Sequence, residues 1–230
     1  MGLIPLDVWK DSSLAKSKNS RPSPTLTFET VLWEEGFLAV AGIDEAGRGA
    51  WAGPVAAGAV ILPVDVGILD VLQGVRDSKL MTPAERDAMF DVIKAAAKAW
   101  AIGEADADEI DRIGILNATK NAMKRAVDGL EVRPDHLLID YVRLHDVTIP
   151  QKGIKHGDML SLSIACASVL AKVSRDRYMS GIAAELYPQY HFEAHKGYGT
   201  KLHQDALAQF GPCPIHRRSF RPLADELTLF

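Results

Sequence analysis

One main sheet with helices around it, an α/β or α+β arrangement, is what the order of this 230-residue chain predicts. Three observations lead there. Two apolar runs early in the chain, Phe37 to Ile43 and Val55 to Leu62, are bounded by Gly and Pro as buried strands are. A further run, His136 to Ile139, stands beyond a helical stretch. The longest helical patterns then crowd the C-terminal third, so strands come early and helices late.

Taken in order, residues 1–25 hold Pro5, Ser12-Ser13 and Pro22-Ser23-Pro24 without periodicity and read as a loose leader. Thr25 to Glu35 has a short helical pattern. The first strand ends in two adjacent carboxylates, Asp44 and Glu45. A glycine-rich loop (Gly47-Arg48-Gly49, then Gly53-Pro54) leads to the second strand, which Pro63 stops. Thr82-Pro83-Ala84-Glu85 combines an N-cap, a proline at the first helical position and a capping-box glutamate. The helix it opens is expected to reach about Lys98, with Met89, Val92 and Ile93 on its apolar face. Trp100 to Gly103 fits a third strand, and an acid-rich bend over Glu104 to Asp111 precedes a helix over Ile115 to Leu130. Arg133-Pro134 breaks that helix, His136 to Ile139 runs as a buried strand into Asp140, and Val147 to Pro150 is a weaker strand. Gly157-Asp158 opens a pattern expected to stay helical from Met159 to Leu186. Gly197 to Thr200 is a turn, Lys201 to Gln209 a helix, and His216 to Pro222 a basic tail.

Hydrophobic residues make up 47% and charged residues 24%, a balance able to bury one sizeable core in one main domain. No apolar run approaches the ~20 residues that span a bilayer, and the polar N-terminus lacks the apolar core of a secretory signal. Two cysteines, Cys166 and Cys213, offer neither a disulfide framework nor metal spacing. A cytoplasmic, monomeric protein with no membrane association is the expectation. The net charge of −4 argues against a general nucleic-acid binder, but its distribution does not. Residues 152–221 carry 10 Lys and Arg against 5 Asp and Glu, a local net of +5, which leaves −9 on the remainder. A basic third on an acidic body suits a surface that meets a polyanion; a solvated charged face gives the same count.

The chemistry concentrates in the carboxylates. Two separate strands end in acids, and if they are neighbours in the sheet, Asp44 and Asp140 converge with Glu45 beside them. Crowded carboxylates repel and stay protonated unless a cation neutralises them. Mg²⁺ or Mn²⁺, hard and oxygen-seeking, is the economical neutraliser, and paired ions of that kind serve phosphoryl chemistry. Asp158 fits two roles, a ligand or a helix N-cap. Arg48 between two glycines is either a turn residue or part of a substrate-facing loop, and Tyr198 is either packing or contact. His195 and His203 are either ligands or, as isolated histidines more often are, solvent-facing or packing residues. Gly47-x-Gly49-x-x-x-Gly53 also hints at a dinucleotide-binding turn, but that turn must open a helix, and Pro54 followed by Val55 to Leu62 reads as a strand.

Gly42-Ile-Asp-Glu-Ala-Gly-Arg-Gly49 followed by Gly53-Pro54-Val55 resembles the signature of type 2 ribonuclease H. The resemblance continues in Asp77-Ser78-Lys79-Leu80, Leu-Leu-Ile-Asp140, Gly157-Asp158, Ser163 to Ser168 with Ala171 to Arg177, and Lys196-Gly-Tyr-Gly-Thr200, covering roughly Thr25 to Pro222. It implies an α/β, RNase H-like mixed central sheet flanked by helices. Residues 26–187 would form the catalytic domain and 188–230 a C-terminal extension contributing to substrate binding. It implies metal ligands at Asp44, Glu45, Asp140 and Asp158, with Mn²⁺ or Mg²⁺ in a two-metal site. It further implies that Gly47-Arg48-Gly49 and Tyr198 sense the ribonucleotide 2′-OH, and that Lys172 and Arg175 meet the nucleic-acid backbone. The implied substrate is an RNA–DNA hybrid or a DNA duplex containing ribonucleotides. Glycine commonly follows the third aspartate in that family, where this chain has Tyr141, and Cys166 stands for a usual alanine. A non-catalytic binding module would need none of the four acids.

Overall fold

The computed structural model describes residues 23–226, so the leader expected over 1–25 falls outside the described residues except for its last three. After helix α1 (Thr27–Glu34) the chain enters strands β1 (Val40–Ala46) and β2 (Val55–Ile61). A short α2 (Ile68–Val71) and a 3-10 turn (Ser78–Leu80) lead to α3 (Pro83–Ala96), β3 (Ala99–Ala105), α4 (Ala107–Ile113) and α5 (Ile115–Asp128). Then come β4 (His136–Asp140), β5 (Gln151–Ile154), α6 (Gly157–Leu160), α7 (Leu162–Ser180) and α8 (Ile182–Leu186). A second 3-10 turn (Pro188–Tyr190), α9 (Phe192–His195), α10 (Lys201–Phe210) and α11 (Leu223–Glu226) close it.

The strands form one mixed sheet in the order β3-β2-β1-β4-β5. The β1–β2 and β2–β3 pairs are antiparallel, and β1–β4 and β4–β5 are parallel. Every residue of β2 is buried, which is why its sequence is a continuous apolar run rather than an alternation. Helices cover both faces. Ala41, Ile43, Ala57, Ala59 and Ile61 pack with Ala118, Ala122, Met123 and Ala126 of α5. On the other face Val60 and Leu62 pack with Phe90 and Ile93 of α3 and with Ala165, Val169 and Leu170 of α7. Two glycines let α7 lie almost on the sheet backbone. A Cβ on Gly42 would stand 2.2 Å from the Ser163 carbonyl carbon, and one on Gly58 2.4 Å from the Ala167 oxygen. A third cluster gathers the C-terminal elements: Met179, Ala183, Tyr190, Phe192, Leu207 and Cys213 close over Ala52 of the glycine-rich loop.

Several expectations are corrected. The helix expected over Met159 to Leu186 is three helices. Ser161 leaves helical backbone (φ −108°, ψ 128°) and caps α7, its hydroxyl accepting from the Ile164 N–H, and Gly181 ends it. Buried Glu29 reinforces that start, accepting at one oxygen from the Ser161 hydroxyl and from both the N–H and the hydroxyl of Ser163. The strand expected at Val147 to Pro150 begins instead at Gln151. Pro150 has no N–H for a ladder, so it contributes only its carbonyl, to the Leu137 N–H at 2.9 Å. The acid-rich bend is helical α4, capped by Asp106. The α3 capping box is present, but Val92 faces solvent while Phe90 and Ile93 are buried. Because β2 follows Pro54, the glycine-rich loop opens no helix, and the dinucleotide turn lacks its pyrophosphate-binding end.

Candidate active site

The acids meet because of strand register. Val40 to Ile43 pair in parallel with His136 to Ile139, so the next residues along the two strands, Asp44 and Asp140, stand side by side. The strand does not stop at them: Glu45 and Ala46 continue the ladder to β2 opposite Ala57 and Ala56. Alternation along β1 turns Asp44 to the α7 face, where it is buried and hydrogen-bonds with Ser168 of that helix. Ser168 is held in turn by Ser78, 2.9 Å away. Asp44 also accepts from the Glu45 N–H at 2.8 Å. Asp140 accepts from the Gly157 N–H at 2.7 Å, which draws α6 and its Asp158 to the same sheet end. Asp158 is not an N-cap: His156 takes that position in left-handed backbone, and Asp158 lies one residue into the first turn.

The electrostatics follow from crowding. Burial, then the charges of Glu45 and Asp140, push Asp44 well above the usual carboxylate range. Burial raises Glu45 against the opposing pull of Arg48, whose Nη1 lies 3.1 Å from Glu45 Oε1. Asp158 is pushed up to about 6 by burial and then by Asp77 and Asp140. Lys79 answers them. Partial burial works against its charge, yet Asp77, Asp158, Asp44 and Asp140 together raise it, and its Nζ lies 4.0 Å from Asp158. Among the described residues no three His, Cys, Asp or Glu side chains stand close enough together to hold an ion as they lie. The four face one region rather than forming a closed cage. An oxygen-only, over-acidic, open set fits a hard divalent cation that takes part of its shell from water or phosphate oxygens.

The glycine-rich loop lies beside this cluster through the Arg48–Glu45 pair. Gly47 has φ +90°, and a Cβ there would stand 2.0 Å from Arg175 Nε. Arg175 is fully buried and donates to the carbonyls of Pro54 (2.8 Å), Ala52 (2.9 Å) and Lys196 (3.0 Å). This corrects the expectation of a backbone contact: the guanidinium braces two loops and presents nothing to a phosphate. Arg217, also fully buried, donates to the carbonyls of Gly53 at 3.0 Å and Arg48 at 2.9 Å. Lys172 bonds Asp176 at 2.7 Å. Half-buried Tyr198 rests its ring over Lys172 Nζ (5.5 Å) and the Arg175 guanidinium (5.4 Å). The Trp51 N–H donates to the Gly197 carbonyl at 2.8 Å, joining the two loops.

Sequence reasoning thus places Asp44, Glu45, Asp140, Asp158, the Gly47-Arg48-Gly49 loop and Tyr198 in one region, with Lys172 at its margin. It gives no role to Ser78, Lys79, Ser168 or Arg217. Lys79 had a signal, since it stands two residues after Asp77 in a stretch that carries the family resemblance. Arg217 had none, because its partners are carbonyls distant in sequence.

The family model for ribonuclease HII matches residues 41–222. A ribonuclease HII from Dehalococcoides mccartyi is 52% identical over 195 residues, covering 85% of this chain and 92% of its own length. The crystal structure of ribonuclease H2 from Pyrococcus horikoshii OT3 matches at a TM-score of 0.64 with 25% identity, over 81% of this chain and 95% of that one. Bst-RNase HIII in complex with Mn²⁺ shares the fold alone: its TM-score is 0.63 at 18% identity, over 83% of this chain and 70% of that one. With the motif-bearing residues inside the matched span and half of all aligned positions identical, the chain belongs to the ribonuclease HII family.

Proposed function

We propose that this chain is a divalent-metal-dependent endoribonuclease. It hydrolyses the RNA strand of RNA–DNA hybrids, including single ribonucleotides embedded in duplex DNA, and leaves 5′-phosphate and 3′-hydroxyl ends. Family membership supports the enzyme class. The observation that carries the reading to a site is the parallel β1–β4 register, which sets Asp44 beside Asp140 with Glu45 and Asp158 around them.

Asp44, Glu45, Asp140 and Asp158 would hold Mg²⁺ or Mn²⁺. When bound, such ions supply a water of lowered pKa and stabilise a leaving oxygen. The chain's own residues do the rest. Ser168 and the Glu45 N–H fix Asp44, and the Gly157 N–H fixes Asp140, so the acids are oriented before substrate arrives. Lys79 offsets part of their charge, which eases the approach of a phosphate. The Gly47-Arg48-Gly49 backbone and Tyr198 receive the ribonucleotide and its 2′-OH, the group that separates RNA from DNA at one nucleotide. Lys172, under the Tyr198 ring, supports that surface. Binding without catalysis does not account for buried acids that repel both one another and phosphate.

The test is a DNA duplex carrying one ribonucleotide, incubated with Mg²⁺ or Mn²⁺. Incision at the ribonucleotide is expected, with a loss of at least about a hundredfold in Asp44→Asn. Intact substrate under both metals, or unchanged cutting by Asp44→Asn, refutes it.

A further inference from the structure

Three imidazoles with no part in the chemistry above lie buried behind the Tyr198 loop: His195, His203 and His216. His195 stacks on His203 with ring centroids 4.5 Å apart, and His203 meets His216 edge to edge, Nε2 to Nε2, at 3.0 Å. Trp51, from the loop that follows Gly47-Arg48-Gly49, tilts against His203 with ring centroids 5.6 Å apart.

The proton positions in this cluster are fixed by what surrounds it. The Cys213 N–H points at His216 Nδ1 from 3.0 Å. A backbone N–H can only donate, so that nitrogen keeps its lone pair. The Cys213 Sγ lies 3.1 Å from the same nitrogen, where its S–H can also donate, and the Cys213 carbonyl at 3.3 Å is the most distant of the three partners. Burial pushes His203 and His216 down to about 4, so near pH 7 each ring carries a single proton. The His216 proton therefore sits on Nε2 and is donated to His203 Nε2. That leaves the His203 proton on Nδ1, which lies 3.1 Å from the Tyr198 carbonyl oxygen. The chain of donation runs one way, from the Cys213 N–H through two rings to the Tyr198 carbonyl. On the other flank of Tyr198, His195 Nδ1 accepts from the Gly197 N–H at 3.2 Å, and its Nε2 faces the Tyr190 carbonyl at 2.8 Å. One imidazole thus holds the Tyr198 carbonyl and another the N–H of Gly197 before it, each in one favoured tautomer.

We propose that His216 and His203 act in series as a neutral hydrogen-bond relay that positions Tyr198, and through it the reading of the ribose. They are positioning residues: neither reaches the carboxylate cluster. Adding a proton to His203, or inverting one ring alone, would place two N–H groups or two lone pairs head to head at 3.0 Å. Inverting both would keep the proton between the rings but set the His203 Nδ1 lone pair against the Tyr198 carbonyl oxygen and a His216 Nδ1 proton against the Cys213 N–H. The relay rests on the reading of Tyr198 as a sugar contact.

The experiment has two parts. In the full chain near pH 7, ¹⁵N NMR of the histidine rings is expected to show His216 as the Nε2–H tautomer and His203 as the Nδ1–H tautomer. Mixed or opposite tautomers overturn the relay, whatever the variants do. Second, kcat/KM is measured on a duplex with one embedded ribonucleotide for His203→Leu, His203→Asn, Tyr198→Ala and the Tyr198→Ala/His203→Leu double variant. Losing the donor to the Tyr198 carbonyl is expected to cost about tenfold in His203→Leu, the scale of one hydrogen bond. His203→Asn, whose amide still donates at the Nδ1 position, recovers most of it and stands in if the Leu variant does not fold. In the Tyr198→Ala background His203→Leu adds nothing further. A full tenfold penalty repeated there overturns the proposal. Parent-like cutting by Tyr198→Ala alone instead overturns the sugar-contact reading, while the tautomers still decide whether the relay exists.

Discussion

Replacing Arg175 by Met separates two accounts of one cationic side chain. As a contact to the nucleic-acid backbone it would matter for binding; as a buried brace it matters for folding. Its guanidinium donates to three carbonyls at 2.8–3.0 Å that belong to Pro54, Ala52 and Lys196. Hydrogen bonds from a charged donor contribute roughly 1.5–3 kcal/mol each, so three lost donors set a gross penalty of about 6 kcal/mol. Relief of the buried charge offsets part of that: removing a cation that, among the described residues, no carboxylate contacts directly returns several kcal/mol of desolvation. Met also refills most of the volume. A net loss of about 3 kcal/mol remains, within the range that loss of a buried hydrogen-bond network produces. With a urea dependence of about 2 kcal/mol/M, the unfolding midpoint falls by about 1.5 M. Binding of an uncut hybrid, measured in an Asp44→Asn background over a salt series, keeps its slope, because each phosphate contact removed would lower the slope by about 0.9. Stability within about 1 kcal/mol of the parent, together with a slope reduced by about one, would restore the phosphate-contact account.

Two other outcomes are expected. Tyr141, 69% exposed, holds left-handed backbone at φ 61°, where a non-glycine residue costs roughly 1–2 kcal/mol. Tyr141→Gly removes that cost, and the extra freedom of the unfolded chain returns about 0.4–1 kcal/mol of it. Chemical denaturation is expected to show a gain of about 0.5 kcal/mol, and a loss of 1 kcal/mol or more contradicts the account. His203 and His216 sit at about 4 in the fold against an unfolded value of 6.5. The unfolded state therefore binds more protons between those values. Their contribution is fully present above pH 6.5 and is lost as pH falls toward 4, at up to about 1.4 kcal/mol per pH unit for each ring. Stability curves of the parent and His216→Phe should converge as pH drops through that window; parallel curves refute the assignment.

The partnership of Asp44 with Asp140 was legible in the sequence because two apolar runs each terminated in an acid. Local pattern then sufficed to suggest neighbouring strands. The α3 start was legible for the same reason: Thr82 and Glu85 satisfy one another three residues apart. What stayed hidden depended on partners far along the chain. Arg175 sits in a run of charged residues that looks solvent-facing, and only the return of loops at 52–54 and 196 reveals that it points inward. Helical periodicity runs unbroken through Ser161, so nothing local says that its hydroxyl caps a new helix. The glycine commonly found after the third aspartate gains a physical reason in Tyr141, since that turn demands positive φ. The histidine relay had no sequence signal, because tautomers are decided by contacts that only the fold creates.

The segment from Cys213 to Arg217 has one more consequence. It pairs with the loop after β1 through the Gly53 N–H to the Ile215 carbonyl and the Arg217 N–H to the Trp51 carbonyl, both at 2.8 Å, and it carries Arg217 and His216 to the backs of the two loops assigned to the sugar. Synthesis proceeds from the N-terminus, so all four carboxylates emerge before these stitches exist. A nascent chain can assemble its acidic cluster on the completed sheet while the two loops proposed to receive the substrate remain unfastened. The order of birth thus fastens these loops last, and a chain interrupted before residue 213 would keep every acidic group while losing the stitches that hold the two loops proposed to read the sugar.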